Sequence, residues 1–280
     1  MCQPSKKIVL AVSIVTYKSD EHVLYETISS LTDSLHELIS KLPGVHAKLC
    51  VVDNEITDNN KLAAILKKLA PEQWATVDFI NGQGNVGYGR AHNLAIFKHP
   101  ADYYLVLNPD VVLDRSALYE GLIFLLNHHD VGVIAPQVLS RNHKIQYLCK
   151  SYPAVFDLLL RGFMPQRIQA FFYKRLDRYE LKDRLHPDKV AYDVPLISGC
   201  FMLFRYQCLI QAGGFSKRYF LYFEDYDLSL RIAKFTRLAY VPSVKIVHRG
   251  GYTARKGIDH ILMFFRSMLT FYRRHGWRWI

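Results

Sequence analysis

The sequence contains no uncharged apolar run near the roughly 18 residues that a bilayer-spanning helix needs, so no spanning segment is expected. Its N-terminus, MCQPSKKIVLAVSIVTYK, is basic and then apolar like a leader, but it has no small-residue cleavage site and is rich in β-branched residues. That stretch reads as a buried strand, and the chain is expected in the cytoplasm, peripheral at the inner face of the cell membrane. Paired cysteine spacing is missing as well. The five cysteines stand apart at 2, 50, 149, 200 and 208, which excludes a cysteine metal motif and argues for reduced core thiols. Repeats and low-complexity tracts are absent, and with half of its residues hydrophobic the chain can build a full core.

Acidic residues are in deficit: 25 Asp and Glu face 36 Lys and Arg, a net charge of +11. The excess is uneven. Residues 141–189 hold 11 basic against 5 acidic residues and 249–280 hold 7 against 1, which leaves 18 against 19 elsewhere. The basic character therefore belongs to two appendages. An anionic membrane surface is the expected partner, and nucleic acid is not.

What is present is an alternation. Residues 8–15 form an apolar first strand ending in Thr16-Tyr17-Lys18, and 21–41 read as a helix stopped by Pro43-Gly44. A strand over 48–52 closes on Asp53-Asn54, a helix over 61–69 precedes Pro71, and a third strand covers 76–80. A glycine-rich turn over 81–89 opens a helix to 98, and a fourth strand over 103–107 ends in Asn108-Pro109-Asp110. Ser116 starts another helix and 131–135 is a fifth strand. Residues 141–189 have little periodicity and read as an insertion or mobile flap, with strands resuming at 192–197 and 199–204. The pattern predicts an α/β fold whose mostly parallel sheet is covered on both faces. Ligands bind such sheets outside the carboxyl ends of the strands, where Thr16, Asp53, the glycine-rich turn and Asp110 gather.

Taken singly, each motif has a plain structural reading. Gly82-x-Gly84-x-x-Gly87 matches the dinucleotide fingerprint, with Asp102 20 residues after Gly82, and would suggest an NAD-type oxidoreductase. It follows the third strand, however, where that fingerprint belongs after the first, and Asp102 precedes its strand. Asp53 fits a turn, Asn108-Pro109-Asp110 a helix-initiating turn, and His248 a strand end. Carboxylates in Glu224-Asp225-Tyr226-Asp227 suit a helix N-terminus, and Asp227 and Arg231 at i, i+4 suit a surface ion pair. Against that stands the setting: carboxylates beside Phe220, Leu221, Tyr222 and Phe223 are costly to desolvate without a partner or a task.

Jointly, the signals are specific. Val12-Ser13-Ile14-Val15-Thr16-Tyr17, Val51-Val52-Asp53-Asn54, Asn85-Val86-Gly87-Tyr88-Gly89-Arg90-Ala91-His92-Asn93, Leu107-Asn108-Pro109-Asp110, Ser198-Gly199, Gly213-Gly214-Phe215, Phe223-Glu224-Asp225-Tyr226-Asp227-Leu228 and Val247-His248 occur in one order over residues 12–250. In this the chain resembles the inverting glycosyltransferases of family 2, which have the GT-A fold, and among them the bacterial rhamnosyltransferases of surface-polysaccharide synthesis. The resemblance implies a catalytic domain over 1–250 with 141–189 as a basic insertion, and a C-terminal amphipathic basic helix within 251–280.

The resemblance also implies roles. Thr16, Tyr17 and Asp53 would meet the base and ribose of a nucleotide-sugar donor (dTDP- or UDP-linked), and Asn85, Gly87, Arg90 and Asn108 its diphosphate and sugar. Asp110 would join His248 in holding Mg2+ or Mn2+. Asp225 would be the general base, with Glu224 and Gly199 at the saccharide acceptor, free or polyprenyl-linked. Two positions depart from the family pattern: Asn108-x-Asp110 replaces the usual Asp-x-Asp, and Lys18 stands where Asn is commoner. The remaining alternative is a non-catalytic relative serving as a scaffold in a polysaccharide complex. Over 258–274, Ile258, Ile261, Leu262, Phe265, Met268, Leu269 and Tyr272 share one helical side, and Trp277 and Trp279 follow. Such a helix suits either the domain core or an anionic leaflet.

Overall fold

The computed structural model describes residues 7–55, 74–249 and 257–280. The helix expected over 61–69 lies outside them. The strands are β1 (Ile8–Thr16), β2 (Val45–Asp53), β3 (Trp74–Ile80), β4 (Tyr103–Leu107), β5 (Val111–Leu113), β6 (Val131–Leu139), β7 (Ile145–Gln146), β8 (Ala191–Tyr192), β9 (Phe201–Arg205) and β10 (Arg237–His248). The helices are α1 (Glu21–Lys41), α2 (Tyr88–Lys98), α3 (Ala117–Asn127), α4 (Val155–Phe163), α5 (Gln166–Phe171), α6 (Tyr173–Tyr179), α7 (Tyr206–Gln211), α8 (Glu224–Ile232) and α9 (Ile258–His275).

One sheet runs β3-β2-β1-β4-β9-β6-β10-β5. Its first four strands are parallel, as are β6 and β10, while β9 enters antiparallel between β4 and β6. Side chains alternate across it as the pleat requires. Leu10, Val12 and Ile14 of β1 and Tyr103, Leu105 and Leu107 of β4 pack on α1 and α3. Ala11, Tyr104 and Val106 face the opposite layer, which holds Ile96 of α2, Leu209 of α7, and Leu228 and Ile232 of α8. α1 starts where Asp20 accepts the backbone N–H groups of His22 and Val23. Its buried stripe of Leu24, Ile28, Leu31, Leu35 and Leu38 has helical spacing.

The structure differs from the sequence reading in four places. β10 is a 12-residue strand, and Pro242 sits inside a register shift between Val241 and Lys245, where a missing N–H is tolerated. The strand expected over 192–197 is only β8, and β5 was not expected at all. Residues 141–189, expected to be irregular, hold β7 and the helices α4, α5 and α6. Lys150 is buried against Glu180 at 3.0 Å, and burial lowers its ammonium to about 8. Val155, Leu158 and Tyr179 of this segment share a core with Tyr219, Phe223, Met268, Phe271 and Tyr272. The insertion and the last helix therefore support each other.

The link between α9 and α8 is ionic as well. The Asp227–Arg231 pair, expected on a helix surface, is buried, with Oδ2 2.7 Å from the Arg231 Nε. Its other oxygen, Oδ1, meets His275 Nε2 at 2.8 Å and Arg274 Nη1 at 3.1 Å. Removing a buried partner leaves the rest uncompensated, at a cost of about 3–5 kcal/mol. Asp227→Ala is accordingly expected to lower the denaturant midpoint by that order and to expose α9 to proteolysis. An unchanged midpoint would contradict this tie.

Candidate active site

The carboxyl end of the sheet carries the first group of residues. Thr16 and Asp53 are register partners at the ends of β1 and β2, and Thr16 Oγ1 donates to Asp53 Oδ1 at 2.9 Å. The Glu55 N–H reaches the same oxygen at 3.1 Å. Gln83 donates through Nε2 to the Asp53 carbonyl at 2.6 Å, drawing the glycine-rich turn onto this strand end. Tyr17 follows Thr16 with its ring half exposed, and Lys18 is left-handed at φ 48°. That backbone region is one Asn tolerates better than Lys, which accounts for the family's preference there.

The turn closes on Gly87. Asn85 Oδ1 accepts the Gly87 N–H at 3.1 Å, and Gly87 has φ +87°. A Cβ on Gly87 would stand 2.3 Å from the Phe220 carbonyl oxygen, and the Tyr88 N–H donates to that same oxygen at 3.1 Å. Glycine is thus required here by a backbone-to-backbone approach. Asp102 cannot serve this turn as a ribose acid, because its Oδ2 accepts the Val9 N–H at 2.8 Å, at the opposite end of β1. Farther along α2, Asn93 exchanges two hydrogen bonds with the backbone of Phe215, at 2.8 and 2.9 Å. His92 is fully buried against Ser13, and burial pushes its imidazole down to about 3. These two motif residues are structural. Arg90 turns outward, and its guanidinium donates to the Lys217 carbonyl.

The carboxylates sit at the first turn of α8. Tyr222 and Phe223 just before it are both left-handed, at φ 70° and 65°. Such residues cost about 1–3 kcal/mol each and persist where the surroundings over-determine them. Here the chain turns sharply out of the aromatic core to present Glu224 and Asp225. Asp225 Oδ2 accepts the Gly199 N–H at 2.8 Å, and Oδ1 accepts its neighbour Tyr226 N–H at 2.8 Å. The Gly199 carbonyl in turn accepts the Tyr88 hydroxyl at 2.6 Å. Ser229 locks α8 to the same loop, accepting the Ile197 N–H at 3.1 Å. Burial raises the Asp225 carboxyl, and the two N–H groups oppose the rise. Glu224 has less support: its Oε2 is buried without a hydrogen-bond partner among the described residues. Burial, then the Asp225 charge, push it up to about 8.

The last pair comes from β5 and β10. Asp110 ends the turn after β4, which is held by Thr27 donating to the Pro109 carbonyl at 2.8 Å. His248 lies opposite Val111 in register, with Nε2 3.4 Å from Asp110 Oδ1. That oxygen is buried and makes no hydrogen bond among the described residues. A carboxylate oxygen and an imidazole nitrogen left facing one another fit a divalent cation whose other ligands come from a diphosphate. Asn108 stands beside them, half-buried, supplying no second charge. A different grouping, Cys50, Asp78 and His99, also lies within 4.8 Å. It sits midway along β2 and β3, its Asp78 is paired to Lys98 at 2.6 Å, and burial raises its thiol to about 12.

Tyr88 shows that the carboxylates share one neighbourhood. Burial raises its hydroxyl well above the usual range, and the charges of Glu224, Cys200, Asp225 and Asp110 add to the rise. Tyr88 and Phe220 are the residues the sequence reading left out of the site. Tyr88 lies inside a quoted motif and Phe220 in the apolar run before the carboxylates, but only the fold discloses that one hydroxyl and one carbonyl fasten the turn to the carboxylate loop.

Comparison with known proteins agrees with this arrangement. The family model "Glycosyl transferase family 2" matches residues 11–211. N-acetylglucosaminyl-diphospho-decaprenol L-rhamnosyltransferase of Mycobacterium tuberculosis is 27% identical over 96% of this chain and 86% of its own length. Rhamnosyltransferase WbbL of Escherichia coli is 29% identical over 69% of this chain and 71% of its own. The fold matches S. aureus TarS 1–349 in complex with UDP at a TM-score of 0.55 and 15% identity, over 93% of this chain and 65% of that one. Against the longer TarS chain, only 37% of its length is covered. GalNAc-T7 with UDP, GalNAc and Mn2+ matches at a TM-score of 0.60 and 13% identity, over 88% of this chain and 45% of that one. With a GT-A architecture and a family match across most of its sheet, the chain belongs to glycosyl transferase family 2.

Proposed function

We propose that this glycosyltransferase moves rhamnose from a dTDP-linked donor to a saccharide carried on a polyprenyl diphosphate, with inversion, in bacterial surface-polysaccharide synthesis. The observation that carries the reading is the pair of buried oxygens without a hydrogen bond among the described residues, Asp110 Oδ1, which faces His248, and Glu224 Oε2. The names of the two rhamnosyltransferase relatives support the sugar, and one of them supports the lipid diphosphate. A UDP-linked donor is the nearest competitor.

A hydroxyl is a weak nucleophile until a base relieves it of its proton. Asp225 is the group for this task, since two N–H bonds fix its orientation and burial strengthens it as a base. A positioned general base contributes about 10²–10⁴-fold. Glu224, held neutral by its surroundings, donates a hydrogen bond to the acceptor. Thr16, Tyr17 and Asp53 receive the base and ribose, and Asn85, Gly87 and Asn108 border the diphosphate and sugar. Asp110 and His248 would hold Mg2+ or Mn2+, which when bound offsets the charge growing on the departing diphosphate. The attack is single and in line, so no residue acts as a covalent nucleophile.

The chain works from the membrane surface. Among the described residues no helix is long and apolar enough to cross a bilayer. α9 buries Met268, Phe271 and Tyr272 in the domain but leaves Ile258 75% and Leu262 62% exposed. Phe171 of α5 is 82% exposed and Trp279 63%. Apolar side chains framed by two basic segments suit an anionic leaflet.

Three outcomes are expected. Asp225→Asn keeps dTDP binding in calorimetry and loses transfer by at least about 10²-fold; normal turnover would remove Asp225 from the mechanism. The wild-type kcat/KM rises with pH as Asp225 ionises and falls again as Glu224 loses its proton near 8. Glu224→Gln, neutral throughout, is expected to keep a flat alkaline limb, and an unaltered fall would assign that limb elsewhere. Finally, the full chain co-sediments with phosphatidylglycerol vesicles at low salt and is released at high salt; failure to sediment contradicts the membrane assignment.

A further inference from the structure

Between α2, the loop before α8 and the last helix lies a hollow of about 370 Å³, lined by Arg90, Arg218, Phe220, Met263, Arg266 and Ser267. Three guanidinium groups from three separate parts of the chain meet there. Among the described residues, none of the three is paired with a carboxylate, although Asp227 gathers Arg231, Arg274 and His275. Arg90 is held in place by the Lys217 carbonyl, and Ser267 by donating to the Leu221 carbonyl at 2.7 Å. Part of the wall is therefore fixed, and the three arginines line the hollow with no carboxylate partner among the described residues.

Unpaired arginines converging on one space call for an anion with several oxygens, and guanidinium groups match phosphate oxygens two at a time. Two further observations choose among anions. Phe220 belongs to both the hollow and the Gly87–Tyr88 contact, so the hollow adjoins the loop that leads into Glu224 and Asp225. On its other side, Leu262 precedes Arg266 by one helical turn and opens the exposed apolar stripe of α9. An anionic group with a sugar on one side and a hydrocarbon chain on the other fits this order.

We propose that the three-arginine hollow binds the diphosphate of a polyprenyl-diphosphate-linked acceptor, directing its saccharide toward Asp225 and its lipid along the apolar stripe of α9. This rests on the sugar-transfer reading above and assigns to Arg90, expected at the donor, a place at the acceptor. The same chemistry could come from the donor diphosphate or from an anionic lipid headgroup, and the experiment separates them.

The test is calorimetric binding of farnesyl diphosphate to the full chain and to Arg218→Ala/Arg266→Ala, with UDP and phosphatidylglycerol vesicles as competitors. The double variant is expected to weaken farnesyl diphosphate at least about tenfold and farnesol hardly at all. Saturating UDP is expected not to displace the probe, and vesicles to displace it only weakly. Displacement by UDP would give the hollow to the donor, and full displacement by vesicles would give it to headgroups; either overturns the proposal. Equal binding by variant and wild type overturns it as well. The single variant Arg218→Lys, which keeps charge but loses the two-pronged geometry, guards against misfolding of the double variant and is expected to weaken the probe by an intermediate factor. This binding needs no turnover, so a failed hollow and a failed sugar-transfer reading are distinguishable: the latter shows as absence of transfer to any saccharide acceptor.

Discussion

A carboxylate taken out of water must be held by something, and the site is arranged around how Asp225 is held. Two backbone N–H groups supply that hold, one from Gly199 and one from the turn of α8 itself. For the first to reach, the loop at Gly199 must stand against α8, which Ser229 and the Tyr88 hydroxyl secure from opposite sides. For the second, the chain must enter α8 through two left-handed residues. Glu224, one residue earlier, has a buried Oε2 with no hydrogen bond among the described residues, and burial and the Asp225 charge raise its carboxyl against a single backbone hydrogen bond. Neighbouring carboxyl groups in one turn thus differ in their surroundings, which suits the base and donor roles proposed for them.

The last helix enters this arrangement as a structural part. Phe223, which begins the turn into α8, lies in the same core as Phe271 and Tyr272, and Asp227 is neutralised from the end of α9. Helix α9 has two faces with different duties. One completes the aromatic core beneath the carboxylates, and the other carries apolar side chains and Arg266 outward.

Much of this was legible in the sequence. The parallel strands β1, β2 and β4 read as continuous apolar runs because they are buried on both faces, and β4 was located to the residue. The polar residues Thr16 and Asp53 stand together at their carboxyl ends, as their places in the sequence suggested. The end of β10 at His248 was visible but not its 12-residue length, which continues past Pro242, and β5 was hidden by its three residues. Pairings at long separation left no local trace. The Asp227–Arg231 spacing was visible, but its burial depends on Arg274 and His275, more than 40 residues later. Tyr88 stood in a recognised motif, yet its bond to Gly199 spans 111 residues. The three arginines of the hollow share nothing in sequence, and only folding assembles them.

The proposed function places Asp110, His248 and Asp225 around one donor diphosphate. Anomalous diffraction from crystals grown with dTDP and Mn2+ tests it most directly. The account predicts one manganese peak ligated by Asp110 Oδ1, His248 Nε2 and diphosphate oxygens, with the thymidine against Thr16 and Asp53. A peak at Cys50, Asp78 and His99 alone, or a nucleotide lodged away from those strand ends, would contradict it.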